Sequence, residues 1–402
     1  MQISQRANSI AASQSLAMAA RAKKMRAEGI DVISMSLGEP DMDTPEHIRR
    51  AAQEAIDNHW SHYGPVPGIP SLREAIATSQ NQLSIVQRPT TNVQRLTTND
   101  QRQIVFHPED VIVSIGAKMA IYNAIQTLIN PGDEVIIPMP SWVSYTEMVK
   151  LAEGKVVPVQ TTYEDNYLLT PHQLRAALSE RTRMLILCSP NNPTGSVYSR
   201  AQLQALIDVL RDFPNVTILS DEIYRCLTYG CEAPSLASFP ELQDRLVIVN
   251  GVSKAYAMTG YRIGWLLSKN RDFLSACTRL QGQQLTCATM VAQKAAEAAL
   301  TGPQECVAEM RQTFAERREL ICRLASEVPG FRFREPQGAF YLFPDVSAIG
   351  SGDEVAERLL DEAYVAVVSG SAFGCPECIR LSYAISTEEI EEAMRRIKIA
   401  LS

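Results

Sequence analysis

The sequence is poor in histidine and has no excess of positive charge. Five histidines are spread over 402 residues, and 38 lysines and arginines face 45 aspartates and glutamates, for a net charge of −7. This balance does not provide the basic surface that binds nucleic acid or an anionic membrane. No apolar run approaches the roughly 20 residues that span a bilayer. We therefore expect a soluble, cytoplasmic protein without a nucleic-acid or membrane partner.

Acidic residues are absent from the first 27 positions, whereas basic residues recur there from Arg6 to Arg26. A basic, serine-containing segment without acids is typical of an organelle transit peptide. The apolar residues between Leu16 and Ala22 fit one face of an amphipathic helix instead. We favour the helix, and composition alone leaves targeting open.

Cysteine is present, but not in the pattern of a disulfide framework. The count of nine is odd and most cysteines are isolated, as buried, inert thiols usually are. The one close pair is Cys375 and Cys378. A zinc site needs two further ligands at comparable spacing, and the nearest candidates, Cys226 and Cys231, lie far away in the sequence. We expect no metal, and a redox-sensitive pair beside Arg380 remains open.

Composition and segment order indicate an α/β fold. The chain is 46% hydrophobic and long enough to exceed one ordinary domain. Short apolar strands, such as 184–188 and 216–219, alternate with helical segments, which is typical of a largely parallel sheet. Asn192, Asp221 and Tyr224 follow these strands. Ligands of such sheets bind beyond the carboxyl ends of the strands, although a helix N-cap is the ordinary alternative for Asp221.

Lys254 lies among small, uncharged residues, and Arg262 follows eight positions later. A lysine withdrawn from water has a lowered pKa, and its neutral amine can form a Schiff base with an aldehyde. Arg262 would supply a permanent cation for an anionic group on that aldehyde. Pyridoxal phosphate has both groups. For this motif alone, a structural lysine in a loop is an equal alternative.

Several short segments occur in an order that is specific to one family. They are Ser36–Asp41, Tyr63–Arg73, Gly116–Lys118, Pro140–Tyr145, Ser189–Gly195, Ser220–Tyr224, Asn250–Gly264 and Ile379–Tyr383. Together they resemble the fold-type I, class I/II aminotransferases, which depend on pyridoxal 5′-phosphate, over nearly the whole chain. The segments most resemble the bacterial aspartate aminotransferases, a subgroup that includes aspartate/prephenate enzymes. The resemblance implies a large domain with a mostly parallel sheet, a smaller α+β domain, and a homodimer with shared active sites.

The resemblance also implies a role for each candidate residue. Lys254, Asp221 and Tyr224 would be catalytic, with Asp221 facing the pyridine nitrogen. Further cofactor contacts would come from Gly116, Ala117, Lys118, Trp142, Asn192, Ser253 and Arg262, and from Tyr63 reaching the neighbouring subunit's phosphate. Substrate contacts would come from Arg380 on the α-carboxylate, with Gly38, Trp142 and Asn192, and from Lys118, Ser13 and Ser15 on a distal carboxylate. The family often has a hydroxyl at the position of Gly251, for which Ser253 is the nearest substitute.

The expected large domain spans 45–289, and the smaller domain combines 1–44 with 290–402. Residues 78–107 are predicted to be an inserted loop, because this segment holds a polar repeat: 86–92 and 93–99 are identical at six of seven positions. A polar stretch of this kind within a compact domain is normally an insertion or a lid. We expect a passive surface loop.

The resulting functional hypothesis is an aminotransferase that acts on an amino acid and a 2-oxo acid, with aspartate and 2-oxoglutarate as the first choice. Aromatic amino acids and prephenate are alternative substrates, and a lyase on the same cofactor is an alternative reaction. A transcription regulator with an aminotransferase-like domain would need a DNA-binding domain, for which the residues before Ser36 leave no room.

Overall fold

The computed structural model describes residues 1–11, 14–86 and 103–402, and only the backbone of 14–16 and 84–86. Ser13, the side chain of Ser15 and the polar repeat from Gln87 onward lie outside this description. The helices are α1 (Gln5–Asn8), α2 (Gln14–Ala27), α3 (Glu46–Asp57), α4 (Pro70–Val86), α5 (Ala117–Leu128), α6 (Ser144–Leu151), α7 (Pro171–Ala177), α8 (Arg200–Leu210), α9 (Arg271–Gln284), α10 (Met290–Thr301), α11 (Glu305–Ala325), α12 (Gly352–Glu362) and α13 (Thr387–Leu401). The strands are β1 (Ile33–Ser34), β2 (Val111–Ser114), β3 (Glu134–Met139), β4 (Lys155–Gln160), β5 (Thr182–Cys188), β6 (Thr217–Asp221), β7 (Leu246–Gly251), β8 (Gly264–Leu267), β9 (Tyr341–Leu342), β10 (Val365–Ala366), β11 (Val368–Ser369) and β12 (Ile379–Ser382).

A seven-stranded sheet forms the centre of the larger domain, in the order β2-β8-β7-β6-β5-β3-β4. Neighbouring strands are parallel except where β8 pairs with β2 and β7. The predicted mostly parallel α/β sheet is therefore confirmed.

Both faces of the central strands of this sheet are buried. In β7, Ile248 belongs to the core on one face, whereas Val247 and Val249 belong to the core on the other. In β6, Ile218 and Leu219 divide between the two cores in the same way. Helices on both faces explain why these strands are continuous apolar runs instead of alternating ones.

The smaller domain has a three-stranded antiparallel sheet, β11-β12-β9, and a two-stranded parallel pair, β1 and β10. Helices α11, α12 and α13 contribute buried apolar side chains to its core. Arg380 lies on β12, paired with Val368 of β11. The central strand of this domain therefore carries the predicted substrate arginine.

Helix α10 packs on α3 and α4. Its residues Ala292, Ala295 and Ala299 are buried in the same core as Ile48 and Leu72. The predicted boundary at 289 assigned this helix to the smaller domain, but its alanine face is buried against the larger one. Small side chains allow this close approach, and Cys306 and Val307 at the start of α11 still pack against the same core.

Helix α4 extends through Val86, so the first part of the predicted inserted loop, 78–86, is helical. Asn81 anchors this part of the helix: its amide donates to Phe106 O at 2.9 Å, and its carbonyl accepts from Phe106 N at 3.0 Å. Phe106 belongs to no strand, so these two hydrogen bonds supply its N–H and C=O groups with the partners that a neighbouring strand would otherwise provide.

The predicted N-terminal helix is present as α2. Its residue Ala22 packs with Val32, Leu360 and Ala366, and Arg21 pairs with Asp361 at 2.6 Å. These contacts attach α2 to the smaller domain. No helix within the described ranges combines the length and the apolar character needed to cross a membrane.

Candidate active site

A cavity of about 290 Å³ lies between the two domains, at the carboxyl ends of β5, β6 and β7. Asn192 follows β5, Asp221 ends β6, and Lys254 follows β7, while Arg380 enters from the smaller domain. The location is the one expected for ligands of a parallel α/β sheet. The cavity brings together most of the predicted residues, namely Gly38, Ala117, Lys118, Trp142, Asn192, Asp221, Tyr224, Ser253, Lys254, Arg262 and Arg380.

Lys254 lies at the centre of this cavity, and its Nζ donates a hydrogen bond to Gly38 O. Burial lowers the pKa of Lys254 to about 8; Glu39 opposes the shift, whereas the cations Arg380 and Arg262 add to it. A useful fraction of the amine is therefore neutral near neutral pH. Only the neutral amine has the lone pair that attacks a carbonyl carbon or accepts a proton.

Asp221 is a buried carboxylate in the cavity wall. Burial raises its pKa to about 6, although a hydrogen bond from Tyr145 and one from the Ile223 backbone favour the ionised form. Tyr145 Oη donates to Asp221 Oδ2 at 2.6 Å, and Ile223 N donates to Oδ1 at 3.2 Å. A carboxylate held in this way suits a cationic N–H group of a ligand.

One end of the cavity is built for an anion. Gly116 has a φ of 86° and precedes α5, and a Cβ at this position would overlap the guanidinium of Arg262. Arg262 donates to Thr259 O at 2.7 Å, and no described carboxylate pairs with it. Similarly, a Cβ at Gly264 would overlap Ala117 N. These glycines let a cation and a helix N-terminus meet, and the free N–H groups there bind phosphate well.

Arg380 is buried at the opposite side. It donates from Nη1 to Asn192 Oδ1 at 3.0 Å and from Nη2 to Ser36 O at 2.7 Å. The rings of Tyr341 and Phe373 lie 4.5 and 4.9 Å from its guanidinium carbon. Its Nε is buried without a partner, and no described carboxylate pairs with the side chain. A buried cation in this state is stabilised when an anionic ligand binds.

Lys118 lies on the first turn of α5, and its amine is 4.8 Å from the centroid of the Trp142 ring. Burial, and secondarily the charge of Arg262, lowers the pKa of Lys118. Within the described part of the chain, Lys118 has no ion-pair partner. Besides Arg262 at the end that suits an anion, the cavity thus has two cations without a described carboxylate partner, Arg380 and Lys118.

Three contributors to the site were missed in the sequence. Tyr341 Oη and Tyr224 Oη lie 2.8 Å apart, Tyr145 donates to Asp221, and the backbone of Ser36 accepts from Arg380. Tyr145 and Ser36 fall within segments that carried the family resemblance, but Tyr341 resembled any core aromatic of a strand. The one sequence signal was its hydroxyl, because a buried tyrosine hydroxyl usually has a hydrogen-bond partner.

Other predicted residues are not brought into the cavity. Tyr63 is 89% exposed and lies outside the cavity lining, and Ser13 and the Ser15 side chain fall outside the described residues. Gly251 approaches the neighbouring strand closely, since a Cβ there would lie 2.9 Å from Ile263 O. A hydroxyl-bearing residue would therefore force a shift at this position, whereas Ser253 does line the cavity.

Comparisons with known proteins agree with this geometry. The family model described as aminotransferase class I and II matches residues 30–397. An aspartate aminotransferase of Bacillus sp. (strain YM-2) is 42% identical over 98% of this chain and 98% of its own length. An aspartate/prephenate aminotransferase of Nitrosomonas europaea is 38% identical over 100% of both chains. The solved structure of aspartate aminotransferase from Thermus thermophilus with maleate has a TM-score of 0.91 at 36% identity, covering 100% of both chains.

Proposed function

This chain belongs to the class I and II aminotransferases, and we propose that it uses pyridoxal 5′-phosphate to move an amino group from aspartate to 2-oxoglutarate. One observation carries the choice of substrate: Arg380 and Lys118 line the same cavity, and neither pairs with a described carboxylate. A substrate with two carboxylates would satisfy both cations, whereas an apolar amino acid would satisfy only one. The names of the aspartate aminotransferase relatives support the same choice.

The residues fit the proposed cofactor at three points. The N-terminus of α5 and Arg262 suit the phosphate, Asp221 suits the ring nitrogen, and Lys254 suits the aldehyde. The orphaned charges support this match, because Arg262 lacks an anion and the buried Asp221 carboxylate faces the cavity. When bound, pyridoxal phosphate supplies an electron sink that stabilises negative charge at the substrate Cα.

The protein's own side chains would perform the remaining work. Arg380 would bind the substrate α-carboxylate through two N–H groups, and its hydrogen bond to Asn192 fixes its orientation. Lys254 Nζ, a useful fraction of which is neutral, would take the proton from the substrate Cα and deliver it to the C4′ carbon of the cofactor. Asp221 would hold a proton on the ring nitrogen, and Trp142 would stack against the ring. Closure of the two domains would exclude water from the cavity.

The exposure of Tyr63 supports a homodimer with shared active sites. The ring of a tyrosine that is 89% exposed buries apolar surface when a second subunit covers it, and its hydroxyl then needs a polar partner. We place this hydroxyl on the phosphate held by the neighbouring subunit. In this arrangement each site is complete only in the dimer.

A single-turnover experiment tests the proposed reaction. The purified protein, loaded with pyridoxal phosphate, is mixed with each member of an amino-acid panel without a 2-oxo acid. We expect one equivalent of 2-oxo acid per site and loss of the visible absorbance, fastest with aspartate and glutamate. Repeated turnover without an acceptor would indicate a lyase. A second half-reaction, in which the aminated protein is mixed with 2-oxoglutarate or prephenate, compares the acceptors. A panel led by phenylalanine, or prephenate as the better acceptor, would reject the proposed substrate pair but not the aminotransferase activity.

A further inference from the structure

The chain between β11 and β12, residues 370–378, folds into a tight turn that we call the cysteine turn. Gly370 N donates to Cys378 O at 2.7 Å, and Cys375 N donates to Gly370 O at 3.0 Å. A Cβ at Gly370 would overlap the Cys375 carbonyl, so glycine is needed for the turn to close. The backbone geometry thereby fixes both cysteines before any ligand is present.

Two thiols and a carboxylate converge within this turn. Cys375 Sγ lies 3.4 Å from Cys378 Sγ and 3.2 Å from Glu377 Oε1. Ligand atoms of all three residues lie within 4.8 Å of one another. Both cysteines are free thiols and are buried, whereas Glu377 is exposed. The cluster therefore has a solvent-facing side through which an ion can enter.

These distances are close to the edges of a zinc tetrahedron. With Zn–S bonds of about 2.3 Å and Zn–O bonds of about 2.1 Å, two sulfurs lie about 3.8 Å apart, and sulfur and oxygen about 3.6 Å apart. The two edges at Cys375 need to widen by only a few tenths of an ångström. We propose that Cys375, Cys378 and Glu377 bind one zinc ion, with a water molecule or the Tyr167 hydroxyl in the fourth position.

Cysteines alone do not complete a zinc site, because the next pair, Cys226 and Cys231, lies far away in the sequence. The tertiary structure supplies other donors: the Glu377 carboxylate, and the Tyr167 hydroxyl at 3.6 Å from Cys378 Sγ. Metal binding must displace the protons of both thiols, because thiolates are the ligands. Binding therefore releases protons, and affinity falls as the pH is lowered.

The position of the cysteine turn gives the ion a structural consequence. Phe373 of the turn lies against the Arg380 guanidinium, and Cys378 immediately precedes β12, two residues before Arg380. An ion that makes the turn rigid would keep the Phe373 ring in position against Arg380. The site would be structural, since none of its ligands lines the active-site cavity.

Metal titration of the reduced, metal-free holoenzyme tests the proposal. Zinc is added in competition with a chromophoric chelator, and cobalt(II) is added separately to record thiolate-to-metal charge transfer. We expect one ion per chain with thiolate bands. The Cys375→Ser/Cys378→Ser variant should lose both signals, while the matched control Cys226→Ser/Cys231→Ser should keep them.

Glu377→Gln is the second variant, because an exposed side chain can be changed without disturbing the core. It should weaken zinc binding at least tenfold while retaining the absorbance of the bound cofactor and the thermal unfolding temperature of the metal-free protein. Stoichiometric zinc in the Cys375→Ser/Cys378→Ser variant would overturn the proposal. So would a wild-type protein that binds no zinc, including one whose two thiols form a disulfide in its place.

Discussion

Arg380 donates a hydrogen bond to Asn192 Oδ1 at 3.0 Å, which links β12 of the smaller domain to the carboxyl end of β5 in the larger domain. A second hydrogen bond from Arg380 reaches Ser36 O at 2.7 Å. The guanidinium is thus oriented before substrate arrives, so little rotamer entropy remains to be lost on binding. In the proposed function, this contact would also tie substrate recognition to the relative position of the two domains.

Arg380→Ala should abolish most of the affinity for the α-carboxylate. Hydrogen bonds to a charged group contribute about 1.5–3 kcal/mol each, so losing two predicts a fall of more than a hundredfold in kcat/KM for every amino acid. Asn192→Ala should cost less, because the arginine charge remains. Half-reaction rates measure both changes. Unaltered efficiency in Arg380→Ala would place the α-carboxylate elsewhere.

Lys254→Ala should eliminate turnover, because the variant lacks the amine that binds the aldehyde and transfers the proton. The visible absorbance of bound cofactor should disappear or shift, while the circular dichroism spectrum stays unchanged. Lys398→Ala is the control, since Lys398 lies in an exposed pair with Glu327. Normal transamination by Lys254→Ala would refute the central assignment.

The lowered pKa of Lys254 predicts how the apoprotein captures pyridoxal phosphate. Only the neutral amine reacts, and its fraction rises with pH until it levels off above the pKa of about 8. The capture rate should therefore increase about tenfold between pH 6 and 7 and reach a plateau above about pH 9. Stopped-flow absorbance measures the rate. A rate that is constant over this range would mean that the amine is already neutral at pH 6.

Lys118→Ala tests whether Lys118 binds the distal carboxylate of the substrate. Losing one charge-assisted contact costs about 1.5–3 kcal/mol, or roughly ten- to over a hundredfold in efficiency with aspartate and glutamate. Phenylalanine and alanine should be affected far less, because the backbone N–H of residue 118 survives the change. The measurement is the ratio of half-reaction efficiencies, aspartate over phenylalanine. An unchanged ratio would remove the basis for dicarboxylate specificity.

Tyr63→Phe should weaken cofactor retention by about tenfold or more, through loss of one hydrogen bond to a charged phosphate. Mixed dimers with Lys254→Ala show which subunit the tyrosine serves. If Tyr63 acts across the interface, the mixed dimer has one site with both Lys254 and Tyr63 intact, and that site should retain cofactor as the wild type does. Equilibrium dialysis measures the retention. Weak retention in the mixed dimer, or a monomeric protein, would contradict the shared site.

The sequence by itself was sufficient for the fold class and for identifying most of the residues that line the cavity. Lys254, Asp221 and Asn192 stand at strand ends, and a parallel sheet gathers the carboxyl ends of neighbouring strands along one edge. Continuous apolar strands and short motifs are local signals, so they can be recognised without knowledge of distant contacts. The same locality made the helix α2 predictable.

Contacts between distant segments were decided by the tertiary structure alone. Tyr341 meets Tyr224 across 117 positions of the sequence, and no local pattern distinguishes it from a core aromatic. The domain to which α10 belongs depends on which core buries its alanine face. Alanine is small enough to pack in either core, so the sequence did not decide between them. Glu377 likewise became a candidate ligand only because the backbone turn brings its carboxylate to the Cys375 thiol. The chemistry of each side chain is known from the sequence. Which side chains contact one another depends on the packing of segments that are far apart in the chain.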